Sequence, residues 1–426
     1  MLITLGAIPF VLLLLGFPVF IVLLTGLTAT LVFVTNVPLA ALHQNLFGTI
    51  DSFSLLAVPF FIYAGELMGR GSVAQRLVDF VQEGVGSVRG GLAVTTVGTS
   101  AIFGAISGVS AACVATIGKV MFPAMRRAGY PESFAAGLVT AVGAIDIIIP
   151  PSVPLIVYGS AASESVPQLY AAGIFPGLLL AVLLAIYVMA RAQFDGFGKG
   201  SSFNLKRFLR AAGRGVWALG APVIILGGIY GGLFSPTESA AVACVYAAIV
   251  TRFVFRELGW RDIVDAARAT VLFTAQILII VACAGVFAWL LTINQVPTAI
   301  VDWIQSLHIP VWALLLIINV ALLLVGCFLD GISAILLLSP LLVPVIKSVG
   351  INPVHFGIIM TVNLAIGLFH PPFGINIFVA QSVLGIKLEP IYRGIIPFVG
   401  VYLVALALIT YFPLISLSGV RLLLGH

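Results

Sequence analysis

The chain has 426 residues, of which 61% are hydrophobic and 8% charged, with a net charge of +5. A soluble domain carries roughly 25% charged residues, so that class is excluded, and apolar runs recurring from end to end mark an all-α polytopic membrane protein. Lysines and arginines in loops, which orient such a protein, account for the positive balance better than nucleic-acid binding does.

The first run, 1–15, has no basic start and no small-residue cleavage site, and is expected to be a retained span rather than a signal peptide. Residues 37–52 read as a loop without lysine or arginine. A span at 54–69 leads to the loop 70–89, which carries Arg70, Arg76 and Arg89; Glu66 and Arg70, four apart, suit a local ion pair. The segment 90–125 starts after Arg89 and ends at Arg126 and Arg127, so it must enter and return. Its small, polar middle, Ile106-Ser107-Gly108-Val109-Ser110, predicts a re-entrant helical hairpin with that tip deep in the membrane. Two short full spans fit the same residues. Residues 131–162 cross outward and are broken at Pro150-Pro151, since proline removes a backbone donor and clashes with the preceding turn. A span at 169–190 returns to a basic connector, 191–214.

Spans at 216–234 and 237–253 follow, the second opened by Ser235-Pro236-Thr237-Glu238, a capping-box sequence that gives Glu238 a structural role. The loop 252–268 carries four arginines. A span at 270–291 exits to 292–310, which has no lysine or arginine. Residues 311–346 form a second hairpin with its tip at Asp330-Gly331-Ile332-Ser333. Residues 353–384 cross back, broken at Pro371-Pro372, and 395–412 is the last span.

The halves match each other. The double prolines lie 371 − 150 = 221 residues apart, and Pro123 and Gly129 have counterparts at the same offset in Pro344 and Gly350. Ser107-Gly108-Val109-Ser110-Ala111 matches Asp330-Gly331-Ile332-Ser333-Ala334 at offset 223. An ordered series of matches at near-constant offset is an internal repeat. The basic loop 70–89 has an uncharged counterpart in 292–310, and the basic loop 252–268 has one in 37–52. Basic loops are cytoplasmic, so equivalent loops fall on opposite sides and the repeats are of inverted topology. Counting spans then puts both termini outside, with Lys347 the one basic residue on the wrong side.

The expected organisation is a first repeat at 1–190, the cytoplasmic connector 191–214, and a second repeat at 215–426. Scaffold spans would occupy 1–69 and 168–190, then 215–291 and 391–413. Each hairpin with its broken helix would occupy 90–163 and 311–385.

Hairpin tips and Pro-Pro breaks bring unpaired carbonyls, amides and helix ends to one depth. Ser107, Ser110, Ser152, Ser333, Asp330 and Asn376 cluster there, a hard, oxygen-rich set that suits Na+. Singly, each serine is a helix cap; at four matched breaks, the site reading is preferred. Asp330, an ionisable residue at membrane depth, is the strongest candidate. Asp146 lies one turn from the first break, and His370, beside the second, suits packing or hydrogen bonding better than proton transfer. Cys113, Cys244, Cys283 and Cys327 sit singly in apolar segments without metal-ligand spacing. No Walker loop, His-Glu-x-x-His or paired catalytic set is present, so neither ATP hydrolysis nor an intramembrane enzyme is indicated.

Gly104 to Gly118 (GAISGVSAACVATIG), Ile149 to Pro154 (IPPSVP), Gly232 to Ala243 (GLFSPTESAAVA) and Asp330 to Pro344 resemble the large membrane subunit of tripartite ATP-independent periplasmic (TRAP) transporters, the DctM-like and SiaM-like family. The resemblance runs over essentially the whole chain, with Val109 and Cys113 as departures from the usual pattern. It implies an elevator-type architecture of the ion-transporter superfamily in a bacterial or archaeal inner membrane. It also implies Na+-driven uptake of a carboxylate, such as a C4-dicarboxylate or sialic acid. A periplasmic binding protein would deliver the substrate, and a separate small four-helix subunit would brace the scaffold. One Na+ site is then expected at Ser107, Gly108, Ser110, Pro150, Pro151 and Ser152. Another is expected at Asp330, Gly331, Ser333, Pro371, Pro372 and Gly374, with Asn376 beside it. Substrate would lie between the tips, at Ser107, Ser110, Ser333 and Asn376. A standalone divalent-anion/Na+ symporter is the alternative.

Overall fold

The computed structural model describes residues 2–35, 37–38, 40–198 and 203–425, and no strand occurs among them. After a π-helical turn, α1 (Ile8–Leu14) and α2 (Val19–Phe33) are separated by Gly16 and Pro18. Helix α3 (Ala40–Ile50) occupies the stretch expected to be a loop, bent by 58° against the segment containing α4 (Ala57–Arg70). The other inter-span loops also hold helices: α5 (Val73–Val85) in the first half, and α14 (Val296–Ser306) in the second. Helix α5 buries Val73, Ala74, Leu77, Val78 and Val81 on one face, with Arg76 off that face.

The first hairpin is α6 (Gly91–Ser107) and α7 (Ser110–Arg127), turning where expected. Helix α8 (Glu132–Val142) tightens into a 3-10 turn at Gly143–Ile145, breaks at the double proline, and resumes as α9 (Val153–Ala162). The long α10 (Val166–Asp195) and α11 (Leu205–Tyr230) extend into the supposed connector from both ends, leaving a short link of which 199–202 lie outside the described residues. Then come α12 (Pro236–Ile249) and the 34-residue α13 (Trp260–Ile293), which begins inside the expected arginine loop. The capping box at Ser235 and Glu238 is formed. The second hairpin is α15 (Val311–Gly326) and α16 (Gly331–Ser348), and the second broken helix is α17 (Pro353–Gly367) and α18 (Ile375–Leu384). The chain closes with α19 (Leu388–Tyr411) and α20 (Leu414–Leu424), the latter absent from the span count above. Both Pro-Pro peptide bonds are cis.

Among the described residues, six helices are long and apolar enough to cross a membrane, or seven if the bent pair counts as one. The first arm of each hairpin and the halves of each broken helix are shorter apolar helices, as a site at mid-depth requires. The repeat governs packing. Arm α7 packs on α18 of the other half, and arm α16 packs on α9, the exchange that two-fold-related repeats produce.

Two of the spans expected in the scaffold, 168–190 and 391–413, make broad contacts: α10 packs on α6, α9, α17, α19 and α20, and α19 packs on α8, α10, α17 and α18. The cause is glycine at the crossings. A Cβ on Gly394 of α19 would lie 1.9 Å from the Ser133 carbonyl oxygen, and one on Gly137 of α8 would lie 2.2 Å from the Gly394 carbonyl carbon. Gly173 and Gly177 of α10 meet Ile148 and Ile149 in the same way. Small residues let backbones approach, which is how membrane helices gain packing energy. The opposite wall is built of α4 on α12, α5 on α11, and α13 on α2, α3 and α4.

Candidate functional site

The first tip is a turn of two residues. Gly108 has φ +62°, and a Cβ there would lie 2.9 Å from the Pro151 carbonyl oxygen, so tip and break touch through backbone. Ser107 is buried and rests on Gly65 of α4. Ser152 donates to the Ile147 carbonyl and accepts from the Leu155 amide at 3.4 Å, capping α9 across the break. Ser110 opens α7 and meets Asn376 of the other half: the Asn376 Nδ2 donates to the Ser110 Oγ at 2.8 Å and reaches the Thr140 carbonyl at 3.3 Å. The sequence grouped Asn376 with Asp330; the structure seats it on the first tip, because α18 packs on α7.

The second tip is looser. Asp330 accepts from the Ser333 amide at 3.0 Å and from the Ser333 hydroxyl, so it caps α16 while remaining exposed to the space between the tips. Gly374 folds the second break back on itself, a Cβ there lying 2.7 Å from the Leu368 carbonyl oxygen. Tyr392 donates to the Pro372 carbonyl at 2.9 Å, and His370 Nδ1 lies beside the Pro371 carbonyl and Cys327. His370 thus sits in local hydrogen bonds at the break. Glu66 and Arg70 form the expected pair, 3.3 Å apart.

Between the tips lies a cavity of about 340 Å³. Its walls are Gly108, Val109 and Ser110 of the first tip, Asp330, Gly331 and Ile332 of the second, Ile147 and Leu368 from the breaks, and Gln276 with Phe273 from α13. Of the four residues expected to meet substrate, Ser110 lines it; Ser107 faces a neighbouring cavity of about 240 Å³ on the Glu66 side, and Ser333 and Asn376 stand behind the wall. Gln276 went unnoticed in the sequence, although an amide in the apolar run 270–291 was the available signal. Asp146, one turn from the first break, is fully buried, and its carboxylate meets only the Ser107 hydroxyl and the Val109 amide. A buried carboxylate without a cationic partner beside the Ser107 hydroxyl is a donor set that fits a hard cation.

The family model described as tripartite ATP-independent periplasmic transporter, DctM component, matches residues 7–415. The chain belongs to this family. It is 40% identical over 378 residues to the C4-dicarboxylate TRAP transporter large permease protein DctM of Pseudomonas aeruginosa, covering 89% of this chain and 88% of that one. It is 42% identical over 383 residues to the isethionate TRAP transporter permease protein DctMQ of Oleidesulfovibrio alaskensis, covering 90% of this chain but 60% of that longer protein. The crystal structure of the Alcanivorax borkumensis YdaH transporter shares the fold, with a TM-score of 0.63 at 16% identity over 92% of this chain and 90% of that one. This DctM chain is therefore a multi-pass membrane transporter component, not an enzyme.

Proposed function

We propose that this DctM chain is the transporting subunit of a Na+-coupled importer that takes an organic acid from a periplasmic binding protein and works with a small four-helix membrane subunit. The cavity carries the reading: both tips and both breaks converge on it against one face of α13. No lysine or arginine lines it among the described residues, but α7 and α16 begin at its wall. Their N-terminal amides offer partial positive charge to an anion. Ser110 and Gln276 add hydrogen-bonding side chains, and Ser107, Ser333 and Asn376 hold the tips that present them.

The first Na+ site takes Ser107, Gly108, Ser110, Pro150 and Ser152; the second takes Asp330, Gly331, Ser333, Pro371 and Gly374. Bound Na+ supplies positive charge beside the substrate anion and ties each tip to its break. The glycine-locked assembly of hairpins, broken helices, α10 and α19 moves as one elevator unit past the wall of α2, α4, α12 and α13. Equivalent loops on opposite sides of the membrane give the inverted arrangement, with both termini periplasmic. Relatives whose names specify C4-dicarboxylate, isethionate and 2,3-diketo-L-gulonate favour an organic-acid substrate.

The test is uptake into proteoliposomes containing this chain and its small subunit. Accumulation of a labelled organic acid is expected only with a Na+ gradient and loaded binding protein. Uptake by this chain alone, without binding protein, would establish the standalone symporter instead.

A further inference from the structure

Asp146 is 0% exposed, and its carboxylate meets only neutral partners, the Ser107 hydroxyl and the Val109 amide at the tip. It forms no ion pair among the described residues. It sits at the end of the turn Gly143–Ile145, which packs on α6, α7, α8, α10 and α17. The charged and titratable groups on those helices do not neutralise it. Helix α6 carries none and presents Gly104, Ser100 and the Ser107 hydroxyl. Helix α7 presents Cys113, while its Lys119 is exposed. Glu132 of α8 pairs with Arg126, Arg191 of α10 pairs with Asp195, and His355 of α17 is bonded to Ser416. A lone ionised carboxylate in a low-dielectric interior carries a desolvation penalty of several kcal/mol.

The repeat shows that the helix crossing itself does not call for this side chain. At the offset of 221 established above, the counterpart of Asp146 is Gly367, and Gly367 crosses Gly326 with no side chain between them: a Cβ there would lie 2.4 Å from the Gly326 carbonyl oxygen. In the first half the crossing is equally close, a Cβ on Gly104 lying 2.9 Å from the Asp146 Cα, yet it also holds a carboxylate. The Asp146 Oδ1 lies 2.5 Å from where a Gly104 Cβ would stand, and the carboxylate faces Ser107 at the tip. Ser100, one turn above Gly104, adds a buried hydroxyl beside the Cys113 thiol.

We propose that Asp146 is the anionic ligand of the first-repeat cation site. Each repeat then brings one carboxylate to its tip–break junction, Asp330 from the tip in one and Asp146 from the break side in the other. The Ser107 hydroxyl, which faces the Asp146 carboxylate, is a second oxygen of that site. This rests on the Na+ coupling proposed above, and it assigns the first site a charge that its serines and prolines do not supply.

The experiment measures binding of radioactive Na+ to the purified complex, alongside thermal unfolding in Na+ titrated against choline at constant ionic strength. Asp146→Asn should weaken Na+ binding by about tenfold or more, because affinity at a hard-cation site follows ligand charge. Its unfolding temperature without Na+ should equal or exceed that of the unchanged protein, since a buried charge has been removed. An unchanged Na+ affinity and stoichiometry in Asp146→Asn would overturn the assignment. If the unchanged protein binds Na+ and only Asp330→Asn weakens binding, Na+ coupling stands and the role of Asp146 falls. If the unchanged protein binds no Na+, both fall. Should Asp146→Asn fail to assemble, Gly104→Ala displaces the carboxylate from the opposite helix: weakened Na+ binding supports the assignment, and unchanged binding overturns it.

Discussion

Replacing Gly394 by alanine tests whether α19 is locked to α8. The added methyl would stand 1.9 Å from the Ser133 carbonyl oxygen and 3.0 Å from the Gly137 nitrogen. A carbon–oxygen contact settles near ~3.3 Å, so the helices must part by roughly 1.4 Å. Both neighbours are backbone, which cannot rotate away, so the cost belongs near the upper end of the ~1–3 kcal/mol range for overpacking. The assay is reversible unfolding of the purified complex in mixed micelles, with Gly394→Ala, Gly137→Ala and the double variant compared. Each single change should destabilise. The double variant should lose less than the sum, by about 1 kcal/mol, because one separation of the helices relieves both clashes. A Gly394→Ala protein within ~0.5 kcal/mol of the unchanged one would refute the close crossing. Full additivity would refute the shared displacement, and with it the grouping of α19 with the hairpin–break unit.

Four further outcomes are expected. Asp330→Ala should abolish Na+-driven uptake while the complex still assembles, losing about 1 kcal/mol for the missing cap; unchanged Na+ dependence sinks the Asp330 role. Ser110→Ala and Asn376→Ala should be coupled in a double-mutant cycle by about 0.5–1.5 kcal/mol, and zero coupling would remove the cross-repeat hydrogen bond. Cysteines placed at Ala41 and Gln295 should be labelled from the periplasm; labelling of either from the cytoplasm rules out the inverted arrangement. At Glu257, burial acts to raise the carboxyl, but the Ser72 hydroxyl and amide and the Arg76 guanidinium outweigh it and hold it below its ordinary 4.5. A depressed folded value means this stabilisation is present above 4.5 and lost as pH falls through the folded value. The stability gap between the unchanged protein and Glu257→Gln should therefore close on acidification, and a gap independent of pH would show that the carboxylate charge is not responsible.

The architecture was legible because it is written in punctuation. The double prolines, Gly108 and the capping box at Ser235 leave the backbone few alternatives, and helix limits followed them closely. The inter-span helices are not legible because the polar residues there signal a membrane surface, and a surface helix and a loop share that signal. The site was legible residue by residue but not in its pairings. Asn376 joins Ser110 because two-fold packing exchanges elements between halves, and no local pattern encodes that exchange. Asp146 was discounted for lying one turn from a break; the 3-10 turn at Gly143–Ile145 swings it onto the tip. Gly173, Gly177 and Gly394 mark the close crossings that α10 and α19 make with their neighbours.

The bond between Ser110 and Asn376 spans 266 residues, and this has a consequence for biogenesis. At ~5–20 residues per second, Asn376 leaves the ribosome roughly 13 to 53 s after Ser110. Through that interval the first hairpin resides in the bilayer without the Asn376 amide that bonds its Ser110 hydroxyl. The half-made protein thus carries a polar tip whose partner has not yet been made. A chain stopped before α18 should be degraded rather than stored, because only the last third of the sequence closes the first third.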